Sequence, residues 1–327
     1  MSESGAPREA IATEAVPSVD RPAGRRRSDR IVGATRATQD VVDQAMAAAR
    51  ATLPVRIVGP PGSGRQHIAR AIHSWSGRAG GPFISVACAG IHDGLIGREI
   101  FGCAPDVHPH LPEAYSGALS LSATGTLFLD AIERLPELHR QALAKALIEG
   151  RYQREGDGAA APLRSRLIVS SPAEPDGSLF GDLPHLTIRL LPLAERREDV
   201  PPLAAHFLRQ FADELGMTPV GFTADAREAL LAEDWPGNVG ELAERIRQAL
   251  RLAGSGAITA EALLLAAEPD HIPSFKEAKR AFETRYVVGL LRRCGGNISQ
   301  AARLAKKDRK DFYDVIRRTG VDPSDFR

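Results

Sequence analysis

A short apolar strand running straight into a glycine-rich turn and then a helix constrains this 327-residue chain more than any other feature. Val55-Arg56-Ile57-Val58 reads as the strand. Gly59-Pro60-Pro61-Gly62-Ser63-Gly64-Arg65-Gln66 forms the turn, and Ile68-Ala69-Arg70-Ala71-Ile72 carries helical spacing. Glycines let backbone N–H groups close around an anion, and the start of a helix favours negative charge. A Gly-Pro turn also occurs as plain structure, so this stretch alone leaves phosphate binding and simple chain reversal both open.

The surrounding pattern repeats the strand-helix alternation. Phe83-Ile84-Ser85-Val86, Thr126-Leu127-Phe128-Leu129 and Arg166-Leu167-Ile168-Val169 are further short apolar strands separated by helical stretches, as in a parallel sheet with crossover helices. After Pro201-Pro202 the signal is helical, with apolar residues at helical spacing over 203–215, 224–233 and 239–253. A loop near 268–273 leads into a last, basic segment. Residues 1–30 are rich in Ala, Pro, Ser, Glu and Arg without apolar period and read as a disordered tail too short for a separate sensory domain. Arg25-Arg26-Arg27 within it reads as a solvated charge run.

Charge is unevenly spread. The formal net charge is +1, yet residues 274–320 carry about +8, so the rest is acidic. A basic terminal segment on an acidic body suggests a local polyanion partner, most commonly nucleic acid. Cys88, Cys103 and Cys294 are too few and too scattered for a disulfide framework, and no CxxC pair marks a zinc site. With no apolar run near membrane-spanning length and no signal-peptide pattern, a cytoplasmic protein without membrane contact is expected.

Beyond the turn, the stretches GPPGSGRQHIARAIHSWSGRAGGPFISVACAG, EIFG, GTLFLDAI, LAERREDVPPLAAHFL and WPGNVGEL follow in order. Together they resemble the AAA+ domain of the sigma-54-dependent activators, the bacterial enhancer-binding proteins. The resemblance runs from about Ile31 to the C-terminus. It implies an α/β AAA+ P-loop domain with a parallel sheet, a helical lid subdomain and an all-α helix-turn-helix domain. The expected boundaries are a tail at 1–30, the α/β subdomain at 31–201, the lid at 202–268 and a Fis-like DNA-binding domain at 274–320. It further implies ATP or ADP with magnesium as ligand, held by Gly59, Gly62, Ser63, Gly64, Arg65, Gln66 and Asp130.

Against the family pattern, several positions of the ATPase machinery are altered. Arg65 stands in place of the phosphate-loop Lys, and a guanidinium is broader than an ammonium. Asp130 is kept, but the next position, a water-orienting Glu in the family, is Ala131. Glu133 is displaced along the chain and is not read as its substitute. Asp176 and Asp182 fall where two arginine fingers belong, Pro172 at the sensor Asn, and Gly240 at the lid Arg. The expected consequence is a pseudo-ATPase with weakened nucleotide binding and no assignable catalytic residue. The sigma-contacting GAFTGA corresponds to Asp106-Val107-His108-Pro109-His110-Leu111, so no contact to sigma-54 through that loop is expected. Cys103, His108 and His110 read as solvent-facing and not as a metal site.

The C-terminal segment has the form of three capped helices. Ser274 with Glu277 makes a capping-box pattern, and Phe275, Ala278, Phe282, Tyr286 and Leu290 line one helical face as core or dimer packing. Gly295-Gly296 ends that helix. Asn297 starts a second, with Ala301, Ala302 and Leu304 inward, and Asp308 caps a third that runs past Phe312, Val315 and Ile316 to Gly320. The arrangement resembles the Fis-like helix-turn-helix of the same activators. Arg309, Lys310 and Asp311 are then the base-reading candidates. Lys306, Lys307, Arg317 and Arg318 are the phosphate-contact candidates, with Arg303 a weaker one. Lys306 and Lys307 occupy the turn where the family has a Gly and an apolar residue, which places a Lys in a left-handed conformation.

The reading that follows is a transcriptional regulator that binds double-stranded DNA and carries an idle AAA+ domain. It is expected to act as a homodimer or higher oligomer, or in a hetero-oligomer with an intact family member. The alternatives are an ATP-hydrolysing sigma-54 activator with atypical motifs, and an interaction partner that modulates an intact relative.

Overall fold

The computed structural model describes residues 30–107, 113–173, 179–180, 183–218, 221–254, 256–266 and 275–326. The chain divides into two compact units, Met1–Leu263 and Leu264–Arg327.

In the first unit, helix α1 (Arg36–Arg50) precedes strand β1 (Val55–Val58), helix α2 (Arg65–Trp75) and strand β2 (Phe83–Ala87). Helices α3 (Asp93–Phe101) and α4 (Ala118–Leu121) lead to β3 (Thr126–Asp130) and helix α5 (Glu137–Glu149). A small antiparallel hairpin, β4 (Arg151–Gln153) with β5 (Ala160–Pro162), comes before β6 (Arg166–Ser171) and β7 (Leu186–Arg189). The main sheet has the order β2-β3-β6-β1-β7, and its pairings are parallel.

The four strands read from the sequence are all present. Their apolar residues point alternately to the two faces, as a two-residue period demands. Ile84, Val86, Leu127, Leu129, Leu167 and Val169 pack into one core with Ile96, Ile100 and Leu143 from α3 and α5. Phe83, Phe128 and Ile168 pack into the other with Val41, Ala45, Ile68 and Ile72 from α1 and α2. Because helices cover both faces, strand β1 is buried along its whole length. In register, Val55 lies between Ile168 of β6 and Leu186 of β7. The edge strand β7 and the β4–β5 hairpin have no counterpart in the sequence reading, since they are only partly buried and so lack the continuous apolar run that marks β1.

A kinked 3-10 stretch, Leu193–Asp199, opens the helical part of this unit. Helices α6 (Val200–Leu215), α7 (Ala224–Ala232), α8 (Asn238–Ala253) and α9 (Ala260–Leu265) follow. Trp235, just before α8, is buried with its indole N–H donating to the Leu230 carbonyl at 2.9 Å and the Arg245 guanidinium 4.8 Å from its ring centre.

The second unit holds helices α10 (Phe275–Arg293), α11 (Ile298–Leu304) and α12 (Arg309–Thr319), followed by a 3-10 turn, Pro323–Phe326. Its core is Val287, Leu291, Cys294, Ala301, Ala302, Phe312 and Ile316. One inward assignment requires correction: Leu304 is 54% exposed. On α10, Val287 and Leu291 enter the core with Leu290 packed against it, while Tyr286, read as core or dimer packing, is 44% exposed. Apolar residues occur on neighbouring positions of α10, so helical spacing alone permits either face. The Ser274 cap lies outside the described residues.

Candidate nucleotide site and candidate nucleic-acid interface

The glycine-rich loop sits where the sequence placed it, between β1 and α2. Gly62 has φ +73° and Gly64 φ +102°, conformations that favour glycine. A Cβ on Gly62 would stand 2.1 Å from the Gly237 carbonyl oxygen, so close backbone packing requires glycine there as well.

Every carbonyl from Gly59 to Gly64 is hydrogen-bonded. Gly59 accepts from Arg65 Nη1 at 2.9 Å, Pro60 from the Ser63 amide at 3.2 Å, and Pro61 from Asn238 Nδ2 at 2.9 Å. Gly62 accepts from the Gly240 amide at 3.0 Å, Ser63 from Arg196 Nη2 at 3.1 Å, and Gly64 from the Ile68 amide at 3.0 Å. Among the described residues, the amides of Gly62, Gly64, Arg65 and Gln66 donate to no other backbone group. Arg65 and Gln66 open α2, where helical N–H groups have no intrahelical acceptor. Tied carbonyls and open amides are what a loop needs to receive an anion without rearranging.

Three of the residues that hold the loop were not foreseen as site residues. Asp199 is fully buried and accepts from the amides of Ala34 (2.6 Å) and Thr35 (2.8 Å) and from Thr38 Oγ1 (2.5 Å). It also pairs with Arg196 at 3.7 Å and so aims that guanidinium at the loop. Asn238 has φ +58°, and its Oδ1 accepts from the Leu193 amide at 2.8 Å while Nδ2 holds Pro61. Arg196, Asp199 and Asn238 all lie in the quoted stretches LAERRED and WPGNVGEL, where spacing alone did not reveal the contacts.

Arg65 folds back on the loop, where Nη1 meets the Gly59 carbonyl. Its side chain is only 11% exposed, and Nη2 lies 3.2 Å from Asp130 Oδ1. The same Oδ1 accepts from the Ser170 hydroxyl. Ala131, beside it, adopts a left-handed conformation (φ 56°, ψ 55°) and presents only a methyl group. Glu133 carries a buried Oε2 without a hydrogen-bond partner. Burial, with the charges of Asp130 and Glu133, pushes the neighbouring Cys88 thiol up to about 12. Ser63 Oγ is also buried and unpartnered. Gln66 Nε2 reaches Ser85 Oγ at 3.3 Å. Pro172 is exposed beyond β6, and Asp176 and Asp182 lie outside the described residues.

Within the stretch matching the sigma-contacting loop, Asp106 has φ 60°, and His108–Leu111 lie outside the described residues. Cys103 is corrected from solvent-facing to fully buried. Its backbone exchanges hydrogen bonds with Tyr115 at 3.1 Å, and this pairing turns the thiol inward at the root of the loop. Tyr115 donates its hydroxyl to Glu99 at 2.7 Å, and burial with that carboxylate pushes the phenol up to about 12. Among the described residues there is no cluster of His, Cys, Asp or Glu that could hold a metal ion, and no helix long and apolar enough to cross a membrane.

In the second unit, Asn297 caps α11 through Oδ1, which accepts from the Gln300 amide at 3.1 Å. Lys306 adopts φ 51°, the left-handed conformation expected in the turn, and the Lys307 amide donates to the Ala302 carbonyl at 3.1 Å. Asp308 precedes α12 in extended conformation, but its side chain makes no capping hydrogen bond. Gly320 ends α12 with φ 77°. Lys306, Lys307, Arg309, Lys310, Asp311, Arg317 and Arg318 are all exposed. Arg318 donates to Glu283 at 2.8 Å across to α10. Lys310, Tyr313, Asp314 and Arg317 share the helical face turned away from Phe312 and Ile316. Tyr313, 55% exposed there, is an aromatic that the sequence reading passed over.

Residues 31–179 match the family described as the sigma-54 interaction domain, and residues 194–278 match the AAA+ ATPase lid domain. The transcriptional regulatory protein GlrR of Escherichia coli is 32% identical over 299 residues, covering 88% of this chain and 67% of the relative. The sigma54-dependent transcriptional activator SfnR of Pseudomonas putida is 34% identical over 227 residues, covering 64% of this chain and 60% of the relative. Among solved structures, NtrX from Brucella abortus in complex with ADP superposes with a TM-score of 0.66 at 28% identity, over 90% of this chain and 71% of that one. The parallel sheet, the glycine-rich loop at the end of β1 and these matches together make the chain a member of the sigma-54-dependent transcriptional regulator family, with its AAA+ α/β fold and helical lid.

Proposed function

We propose that the chain is a DNA-binding transcriptional regulator whose AAA+ domain no longer turns over ATP. One observation carries the loss of turnover: the Arg65–Asp130 ion pair lies at the foot of the glycine-rich loop, with Ala131 beside it. Hydrolysis in this family needs a carboxylate to orient water, and general-base groups contribute roughly 10²–10⁴-fold to such steps. A methyl group contributes nothing comparable. Acidic residues at positions 176 and 182, where the family carries arginine fingers, work in the same direction.

The regulatory part of the proposal rests on α10–α12, read as a helix-turn-helix over residues 274–320. Arg309, Lys310 and Asp311 would reach base edges, while Lys306, Lys307, Arg317 and Arg318 would neutralise phosphates. The exposure of all seven supports this reading. Dimeric binding to paired half-sites, or a mixed oligomer with an intact relative, is the assembly proposed. Contact with sigma-54 through the altered loop is not part of it. The nucleotides in the NtrX crystal structures, ADP and ATP, support an anion role for the loop in this chain as well.

Two measurements test the proposal on the full chain. ATP turnover should equal that of an Arg65→Ala variant, and turnover well above it refutes the idle domain. Genome-wide occupancy should collapse when Arg309 and Lys310 are both changed to Glu, and unchanged occupancy refutes DNA reading. Binding should fall steeply with salt, because each neutralised phosphate releases about 0.9 counterion.

A further inference from the structure

The pocket does not fit the magnesium ion that its family implies. Magnesium sites are usually built on one or two carboxylates, substrate phosphates and retained waters. Here Asp130 Oδ1 already receives the Arg65 guanidinium and the Ser170 hydroxyl. A cation entering at that oxygen would have to displace the guanidinium that pairs with it at 3.2 Å, at the cost of that ion pair. Gln66 holds the position from which Ser or Thr ligates magnesium in the general phosphate-loop pattern, and its amide is engaged with Ser85. The disagreement is confined to the metal. Open amides at Gly62, Gly64, Arg65 and Gln66 and the fully tied carbonyls still suit a phosphate.

We propose that Arg65 is the built-in counter-cation of this site, so that the domain takes a nucleoside polyphosphate without a divalent metal. A guanidinium forms two parallel charge-assisted hydrogen bonds with phosphate oxygens, and its charge is permanent. Held at the loop by the Gly59 carbonyl, it needs only to turn from Asp130 to an incoming phosphate. Asp130 is then a competitor of the ligand and not a metal holder. This reverses the sign of its mutational effect relative to a magnesium-dependent site. The inference rests on the reading of an AAA+ domain that holds nucleotide without hydrolysing it.

The test is calorimetric binding of ADP to the full chain, with excess magnesium or with EDTA. Affinity in the two conditions should agree within about twofold. Asp130→Asn should tighten binding in EDTA by about threefold or more, because a carboxylate that repels phosphate is removed. Arg65→Ala should weaken binding by at least about tenfold. Arg65→Lys should make affinity rise with magnesium. Thermal melting of each variant separates misfolding from a change in the site. ADP binding strengthened about tenfold by magnesium in the parent chain overturns the proposal, as does no binding in either condition or weaker binding by Asp130→Asn. ATP turnover is read separately, so an active ATPase would refute the idle-domain reading without being mistaken for failure of metal independence.

Discussion

Asn238 reaches from the start of α8 to the glycine-rich loop and donates its side-chain amide to the Pro61 carbonyl at 2.9 Å. Its other side-chain atom, Oδ1, accepts from the Leu193 amide at 2.8 Å, so one buried residue fastens the loop to the start of the helical part. Replacement by Ala removes both hydrogen bonds and places a non-glycine residue without a compensating side chain at φ +58°. Stranding the buried Leu193 amide costs roughly 1–3 kcal/mol, while water can reach the exposed Pro61 carbonyl, so Asn238→Ala should destabilise the first unit by about 2 kcal/mol. Urea denaturation followed by circular dichroism measures this, and a loss below about 1 kcal/mol would show that water replaces the contacts.

Restoring the missing carboxylate by itself should not restore hydrolysis. In an Ala131→Glu variant, Arg65 still pairs with Asp130, and the new side chain starts from a left-handed backbone. Steady-state phosphate release should stay at the parent level. A rise of about tenfold or more from this single change would identify the carboxylate as the only deficit.

Lys306 pays for its place in the turn with φ 51°. A left-handed L residue costs about 1–2 kcal/mol, while glycine adds about 0.4–1 kcal/mol of unfolded-state entropy. Lys306→Gly should therefore stabilise the three-helix unit by about 0.5–1 kcal/mol and weaken DNA binding through the lost charge. Opposite movement of melting temperature and DNA affinity is the expected signature, and loss of both would contradict the strain argument.

Alkaline pH should weaken the first unit. Cys88 is raised from 9.0 to about 12, chiefly by burial and then by Asp130 and Glu133, and Tyr115 is raised from 10.0 to about 12. The unfolded chain releases these protons first, so the stability they contribute is full below pH 9.0 and lost progressively toward about 12. Melting temperature should fall as pH rises from about 9 toward about 12, and Cys88→Ala should flatten the early part of that fall. Cys88, Cys103 and Cys294 are all buried, so an aromatic disulfide reagent should find them unreactive until denaturant is added. Rapid labelling of Cys88 in the native chain would contradict its burial.

Much of the site was legible because its chemistry is local in the chain. The loop from Gly59 to Gln66 is contiguous, and its place between β1 and α2 follows from an apolar strand meeting helical spacing. The left-handed Lys306 and the Gly320 terminus were legible for the same reason, since turn geometry depends on a few neighbouring residues. Leu304 was misplaced because apolar residues of α11 fall on adjacent faces, and only a packing partner chooses between them. Cys103 was misread as exposed because its burial comes from pairing with Tyr115 across the loop.

The sequence by itself determined the family, the four apolar strands β1, β2, β3 and β6 with the helical part that follows them, and the residue types at each departing position. These are properties of spacing and composition, which survive without coordinates. Tertiary structure decided where the charges go. Arg65 and Asp130 are 65 residues apart in the chain, and only the parallel pairing of β3 with β6 and β6 with β1 brings their side chains to 3.2 Å. Arg196 and Asn238 likewise reach the loop only because the helical part folds back on it. A substitution that reads as the loss of a lysine is, in the folded chain, the gain of an internal ion pair.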